Sequence, residues 1–97
     1  MTSFHAPHPT HGMRLDKFLW AARFFKSRTL AAGLLKEGRV RVNRRLVDKA
    51  HVTVRVGDVL TFPQADRIRV VRVVALDEQR GPAPVAQTLY EDLGGLA

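Results

Sequence analysis

The sequence predicts one α+β domain, in which two N-terminal helices pack on a small, mostly antiparallel sheet of about four to five strands, followed by a short C-terminal helix. The spacing of apolar residues supports this prediction, because it has a helical period before Gly38 and a strand period of two after it. Length supports it too: the chain has 97 residues, 45% of them hydrophobic, which is enough for a single small core.

The composition argues against several classes of protein. No apolar run approaches the roughly 18–20 residues of a membrane-spanning helix, and residues 1–12 lack the hydrophobic region of a signal peptide. Cysteine is absent, so the chain has neither disulfides nor a thiolate metal site, as suits a reducing cytoplasm. We therefore expect a cytoplasmic protein that does not use a membrane.

The first predicted helix begins near Met13 or Arg14. Its apolar residues follow the i, i+3, i+4, i+7 spacing of a buried stripe and are Leu15, Phe18, Leu19 and Ala22. Trp20 lies opposite this stripe, which leaves two interpretations open. The indole either stacks on a nucleic-acid base or, as we favour, packs against the C-terminal helix near Tyr90.

The second predicted helix runs from Arg28 to about Glu37, with Ser27 as its N-cap and Gly38 at its end. A short connection precedes it and carries two aromatic rings that we expect to pack inward, Phe24 and Phe25. The residues of this helix that should face the core are Leu30, Ala31, Leu34 and Leu35.

Beyond Gly38, valines alternate with polar residues, as in strands with one buried face. The alternation predicts strands at residues 40–42, 46–47, 52–56, 59–62 and 68–76. Turns are predicted at residues 43–45 and 57–58, and Pro63 begins a break that extends to Asp66.

Both ends of the chain are predicted to lie outside the main domain, which we place at residues 13–80. Residues 1–12 have no periodic apolar face and should form a flexible tail. Three histidines in it suggest a metal site, but two prolines interrupt them and no carboxylate or cysteine joins them: His5, His8 and His11. We therefore favour a tail without a metal. Residues 81–97 comprise a Pro/Gly break and a short helix over residues 85–93.

Positive charge is concentrated in about a third of the chain. Residues 14–49 contain eleven of the sixteen Lys and Arg residues but only three of the nine acidic residues, which gives a net charge of +8. The remaining residues have a net charge of −1. Charge needed only for solubility would be spread out, so a local field of one sign indicates a polyanionic partner, with nucleic acid as the first candidate.

The predicted binding residues are cations of this segment together with two polar residues. Arginine predominates among them, and its guanidinium binds phosphate in a bidentate manner. Ser27 is also explained by N-capping, and Asn43 by a left-handed turn, without any contact to nucleic acid. Asp16 is expected to orient a neighbouring arginine, either Arg14 or Arg23. The full set is Arg14, Lys17, Arg23, Lys26, Ser27, Arg28, Lys36, Arg39, Arg41, Asn43, Arg44 and Arg45.

No pattern in the sequence predicts an enzyme. Serine, histidine and acidic residues are not placed as a catalytic triad, and the isolated glycines Gly33, Gly38 and Gly57 do not form a phosphate-binding loop. We expect neither catalysis nor a cofactor. Charge alone leaves DNA and an acidic protein open as alternative partners to RNA.

The sequence resembles a known family, first at residues 14–43, which read RLDKFLWAARFFKSRTLAAGLLKEGRVRVN. These residues, the return strand at 46–47 and the turn at 56–60 resemble the S4-like RNA-binding domain, also called the αL motif. The resemblance implies that residues 13–80 form such a domain and that RNA lies along the helices and the loop after them. Arg44 departs from the glycine that often follows the asparagine in this family. The residues at the family's recurrent positions are Arg14, Asp16, Ser27, Gly38, Val40, Asn43, Gly57 and Asp58.

The later residues resemble one branch of that family. Residues 67–93 read RIRVVRVVALDEQRGPAPVAQTLYEDL and are similar to the second half of the heat-shock protein 15 family. The resemblance implies a non-enzymatic protein that binds ribosomal RNA on large ribosomal subunits still carrying peptidyl-tRNA, and helps to recycle them under heat stress. The large subunit, its RNA and tRNA are the implied partners, and we expect a monomer. The alternative is a general RNA- or DNA-binding module, or a subunit that recognises an acidic protein.

Overall fold

The computed structural model describes residues 12–94. The predicted N-terminal tail with His5, His8 and His11 lies outside the described residues except for Gly12, as do residues 95–97 at the C-terminus. In chain order the elements are β1 (Gly12–Arg14), α1 (Leu15–Ala21), α2 (Arg28–Lys36), β2 (Val40–Val42), β3 (Arg45–Val47), β4 (Thr53–Arg55), β5 (Val59–Gln64), β6 (Arg67–Val73), α3 (Ala83–Ala86), a 3₁₀ turn (Gln87–Leu89) and β7 (Tyr90–Asp92).

The strands form two antiparallel sheets. Five of them make the main sheet in the order β3-β2-β5-β6-β7, and β1 pairs with β4 in a separate two-stranded sheet. In the main sheet Val42 lies opposite Leu60, and Leu60 lies opposite Val71. Because side chains alternate along a strand, these three share one face, and all are buried. The predicted α+β fold with a sheet of four to five strands is confirmed.

The core lies between this face of the sheet and the two helices. The apolar stripe predicted for α1 is confirmed, since Leu15, Phe18 and Leu19 are completely buried. The prediction for α2 was wrong at Leu30, whose residue surface is 56% exposed. This helix packs through the row formed by Ala31 and Leu35, one turn apart, and the neighbouring row turns towards solvent at its N-terminal end.

The N-terminal boundary also differs from the prediction. We assigned Gly12 to the tail and expected the first helix to begin near Met13 or Arg14, but all three residues belong to β1, and α1 begins at Leu15. These residues form a strand because they pair with β4. One further hydrogen bond extends this pairing, from the Leu15 N–H to the Val52 carbonyl at 2.8 Å. Only glycine fits at position 12, because a Cβ there would lie 2.4 Å from the Thr53 Cγ2 and 2.6 Å from a backbone oxygen.

The break predicted at residues 63–66 is shorter than expected. Pro63 and Gln64 continue β5, and only Ala65 and Asp66 form the turn to β6. β2 pairs with β5 only as far as Thr61, so Pro63 lies beyond the end of that neighbour, where its missing N–H is tolerated. β6 in turn ends at Val73 rather than at Leu76.

The helix predicted at residues 85–93 was wrong in its second half. A four-residue α3 and a 3₁₀ turn occupy residues 83–89, and Tyr90 then begins β7. β7 supplies the outer edge of β6 with a partner, and the Leu89 carbonyl accepts from the Val74 N–H at 2.8 Å. Without β7, the outer edge of β6 would leave backbone N–H and C=O groups unpaired. The hydrogen bonds that β7 makes to this edge outweigh the weak tendency of so short a segment to form a helix.

Candidate nucleic-acid interface

The beginnings of α1 and α2 meet at a single carboxylate. Arg14 donates from Nε to Asp16 Oδ1 and from Nη2 to Asp16 Oδ2, both at 3.1 Å. Arg28, at the start of α2, approaches the same Oδ2 with its Nη2 at 3.6 Å. The predicted role of Asp16 is therefore confirmed for Arg14, but its second partner is Arg28 rather than Arg23.

Asp16 is built into the fold, whereas its arginine partners reach solvent. Its side chain is 5% exposed, against 50% for Arg14 and 43% for Arg28. The Asp16 Oδ1 also accepts from the backbone N–H of Lys17 at 2.8 Å, which fixes the carboxylate at the start of the helix. One negative charge thus holds two positive charges side by side, and the excess charge faces outward. Such a pair of guanidiniums presents several donors to one phosphate.

The connection between the helices carries three further predicted residues, Arg23, Lys26 and Ser27. Ser27 is confirmed as the N-cap of α2, because its Oγ accepts from the Leu30 N–H at 3.1 Å. Arg23 has a left-handed backbone with φ of 66°, and its Nε donates to the Gly81 carbonyl at 2.6 Å. Lys26 is exposed. The aromatic rings beneath pack inward as predicted, and Phe24 lies 4.9 Å from Phe62 between ring centroids.

The remaining helical cations do not join this cluster. Lys36 lies at the last residue of α2, about 12 Å along the axis from Arg28 at 1.5 Å per residue. Arg39 follows it and pairs with Glu37 at 3.6 Å. Lys17 points along α1 to a pair with Glu78.

The β2–β3 turn carries the other predicted residues. Asn43 and Arg44 both have left-handed backbones, with φ of 51° and 73°, as the turn prediction for Asn43 requires. The Asn43 amide is occupied within the fold: its Nδ2 donates to Asp58, and its Oδ1 accepts from the Val59 N–H, both at 2.9 Å. Contact with a base edge would therefore have to displace structural bonds. Arg41 donates from Nη1 to the Arg44 carbonyl at 3.2 Å.

Arg45 is exposed and lines a shallow cleft between this turn and β4. Arg55 and Asp58 line the opposite part of the cleft. Most of the predicted site residues thus fall into two groups, one at the meeting point of α1 and α2 and one at the β2–β3 turn, whereas Lys17, Lys36 and Arg39 belong to neither.

Sequence reasoning missed Arg80, which lies beside the helical group. Its guanidinium stands over the Trp20 ring at 6.0 Å from the centroid and donates from Nε to the Trp20 carbonyl at 3.0 Å. Trp20 is half-buried, and this stacking differs from the predicted packing near Tyr90, whose ring lies against Phe24. Arg80 belongs to the nearly neutral part of the chain, so charge density gave no signal. The sole signal was its place in the triplet Glu78-Gln79-Arg80 (the EQR triplet), within the residues 67–93 that resemble the heat-shock protein 15 family.

Other kinds of site find no support in residues 12–94. In that part of the chain, no group of three or more His, Cys, Asp or Glu side chains is placed to hold a metal ion. None of the helices described there is long and apolar enough to cross a membrane.

Comparison with known proteins places this site in a family. The sequence model of the family described as the S4 domain matches residues 13–60. The chain is 40% identical over 80 residues to a heat shock protein 15 homolog of Haemophilus influenzae, covering 82% of this chain and 60% of that protein. It is also 39% identical over 79 residues to the RQC P-site tRNA stabilizing factor of Halalkalibacterium halodurans, covering 81% of this chain and 88% of that protein.

A solved structure is also similar. The trimeric structure of Vibrio cholerae heat shock protein 15 superposes with a TM-score of 0.80 at 36% sequence identity, covering 84% of this chain and 82% of that one. The chain therefore shares both sequence and fold with these proteins, although it spans only about 60% of the length of the Haemophilus relative.

Proposed function

This chain belongs to the heat shock protein 15 family of S4-domain proteins, and from that premise we propose that it is a non-catalytic, ribosome-associated RNA-binding protein. We propose further that it binds ribosomal RNA on the large subunit and helps to recycle subunits that stall with a peptidyl-tRNA under heat stress. Backbone phosphates would be its main target, recognised by charge and by shape.

One observation carries the proposal: Arg14 and Arg28 are held together by the buried Asp16 at the meeting point of two helices. A cluster made only for stability would match its charges, as one carboxylate to one cation. Here two guanidiniums share one carboxylate, and both reach solvent. An unbalanced, outward-facing arginine pair favours a partner that brings its own negative charge.

The relatives support the finer part of the proposal. The Halalkalibacterium protein is named for stabilising a P-site tRNA, which fits a partner that includes tRNA on the large subunit. The Haemophilus and Vibrio proteins are named for heat shock, which fits a role under stress. Our prediction of a monomer stays a prediction, and the trimer seen for the Vibrio protein makes sedimentation equilibrium the measurement to run first.

Filter binding to ribosomal RNA across a salt series tests the RNA-binding proposal. If about six cations touch phosphates, log affinity should fall against log salt concentration with a slope of roughly −4 to −5. Duplex DNA of equal charge should compete less well than ribosomal RNA. A slope near zero, or equal competition by DNA, would contradict the proposal. Cosedimentation with free large subunits after heat stress would then test the finer role.

A matched pair of double variants tests the site. Arg14→Ala/Arg28→Ala should weaken RNA binding by about a hundredfold. It should also make the slope of log affinity against log salt concentration shallower by the contribution of about two phosphate contacts. Arg67→Ala/Arg72→Ala removes the same charge from β6 and should leave both nearly unchanged. Equal losses in the two variants would show that net charge matters and that the Asp16 cluster does not.

A further inference from the structure

A segment distant in sequence contacts α1 and the connection that follows it. Residues 78–81 lie after β6, about 60 positions beyond the residues that they touch. Glu78 pairs with Lys17, and the Gly81 carbonyl accepts from the Arg23 Nε at 2.6 Å. Arg80 lies between these two residues and donates to the backbone of the helical region. The segment therefore touches two predicted RNA-binding cations directly.

Arg80 spans the connection from one end to the other. Its Nε donates at 3.0 Å to the carbonyl of Trp20, in α1, and its Nη2 approaches the carbonyl of Phe25 at 3.4 Å. Phe25 lies two residues before Ser27, the N-cap of α2. One planar group thus joins the end of the first helix to the approach of the second. The Trp20 carbonyl also accepts from the Arg23 N–H at 3.0 Å, and its second lone pair receives the Arg80 Nε.

Backbone bonds at the end of α1 hold Arg23 in its left-handed conformation, with φ of 66°: the Arg23 N–H donates to the Trp20 carbonyl and the Phe24 N–H to the Leu19 carbonyl, both at 3.0 Å. The residues from Phe25 to Ser27 lie beyond these bonds, and Arg80 reaches them at the Phe25 carbonyl. The same short stretch carries Lys26 and sets the start of α2, where Arg28 meets Asp16. A small rotation of the connection would therefore redirect three of the predicted cations at once.

The bonding of Arg80 separates this role from that of an ordinary ion pair. Among the ion pairs of residues 12–94, none involves Arg80, and the hydrogen bonds that its guanidinium donates there go to the backbone carbonyls of Trp20 and Phe25. A guanidinium offers donors in a fixed planar fork, whereas an ammonium is a compact point charge. Lysine at this position would keep the charge but could not hold both carbonyls in the same geometry.

We propose that Arg80 is a positioning residue for RNA binding, whose guanidinium fixes the α1–α2 connection and thereby the directions of Arg23, Lys26 and Arg28. This inference rests on the proposed RNA-binding function. It assigns to the EQR triplet a task at the interface, although the triplet lies outside residues 13–60 matched by the S4 domain.

The test compares Arg80→Lys with Arg67→Lys, the same chemical change on an exposed residue of β6. Filter binding to ribosomal RNA should be weakened about tenfold by Arg80→Lys, with a salt slope shallower by about one to two units, because the misdirected cations no longer meet phosphates. Arg67→Lys should bind as the wild type does. Circular dichroism establishes a temperature at which both variants are folded.

A spectroscopic measurement reports on the contact itself. Trp20 is the single tryptophan of the chain, and Arg80 covers its ring. Its fluorescence emission should shift to longer wavelength in Arg80→Lys and stay in place in Arg67→Lys, because the exposed indole gains water. If Arg80→Lys does not fold, Arg80→Gln carries the same expectations, because its single, shorter amide cannot hold both carbonyls.

A double-variant cycle distinguishes positioning from direct contact. In a background of Arg23→Ala/Lys26→Ala, Arg80→Lys should cost little further affinity, because two of the groups that it positions are gone. An undiminished cost in that background would overturn the proposal in favour of an independent phosphate contact. Wild-type affinity and slope in Arg80→Lys, with the emission shifted, would overturn it too. Failure of the wild type to bind RNA would instead refute the proposed function.

Discussion

The two ends of the molecule use arginine in opposite ways. On the β6–β7 pair, each of two arginines has its own carboxylate on the neighbouring strand: Arg69 lies 3.1 Å from Asp92, and Arg72 lies 2.6 Å from Glu91. The register makes this possible, because Arg72 stands directly opposite Glu91 across the two strands. Arg69 and Arg72 are thus each balanced by a carboxylate of β7, and these two pairs join the last strand to the sheet.

At the meeting point of α1 and α2, two arginines share the single carboxylate of Asp16. The neighbouring Lys26 is exposed, and the cations of the β2–β3 turn add to the excess. Paired surface charges contribute little to stability and nothing to a long-range field. The comparison therefore teaches that the balanced arginines belong to the fold and that the unbalanced ones are available to a partner.

Replacing Asp16 with asparagine should have the largest effect on this comparison. The amide lacks the negative charge and replaces one accepting oxygen with an NH2 donor, so we expect the free energy of unfolding to fall by about 2 kcal/mol in urea titrations. RNA binding should also weaken although the protein gains a positive charge, because Arg14 and Arg28 lose their common anchor.

The control is Asp66→Asn, which adds the same charge at an exposed turn. Its stability should change by less than about 0.5 kcal/mol, and its RNA affinity should stay equal or rise slightly. Tighter RNA binding by Asp16→Asn would show that the anchor is unnecessary and that the local field alone determines affinity.

Replacing Arg44 with glycine should change the stability of the protein and its RNA binding in opposite directions. Its φ of 73° disfavours a side chain, so Arg44→Gly should stabilise the protein by about 1 kcal/mol. If Arg44 touches a phosphate, the salt slope of RNA binding should become shallower by about 0.7 to 0.9. A more stable protein that binds RNA less well is the expected combination.

Ala65→Gly is the matched control, because Ala65 also has a left-handed backbone, with φ of 56°, in a turn that carries no predicted contact. It should be stabilised to a similar degree and bind RNA with the wild-type slope. An unchanged slope in Arg44→Gly would remove the β2–β3 turn from the interface and leave the helical group alone.

The sequence predicted those parts of the fold that local periodicity determines. The α1 stripe from Leu15 to Leu19 and the alternating valines needed only their own spacing to be assigned to a buried face. β7 depends instead on the open edge of β6, which no local pattern records. Leu30 depends on how α2 rotates against α1, and this rotation follows from the contacts of Ala31 and Leu35.

The same distinction between local pattern and tertiary contacts applies to the candidate site. Arg14, Asp16 and Arg28 were predicted from charge and resemblance, because all lie in one short segment. The division of most of the predicted cations into two groups was not, since it depends on how the helices and the β2–β3 turn are placed in the fold. Arg80 was missed because its contacts with Trp20 and Phe25 join segments that are about 60 and 55 residues apart.

The smallest effect should come from removing the carboxylate partner of one cation in each region, Lys17 in α1 and Arg72 in β6. Glu78→Gln frees Lys17, and Glu91→Gln frees Arg72, by the same chemical change at carboxylates that are 62% and 56% exposed. Each pair is exposed enough that stability should change by less than about 1 kcal/mol. RNA binding at low salt should tighten about twofold to threefold for Glu78→Gln, because Lys17 is a predicted RNA-binding residue of α1, and hardly at all for Glu91→Gln. Equal tightening would mean that RNA senses only the net charge of the protein, and the distinction between balanced and unbalanced arginines would then carry no function.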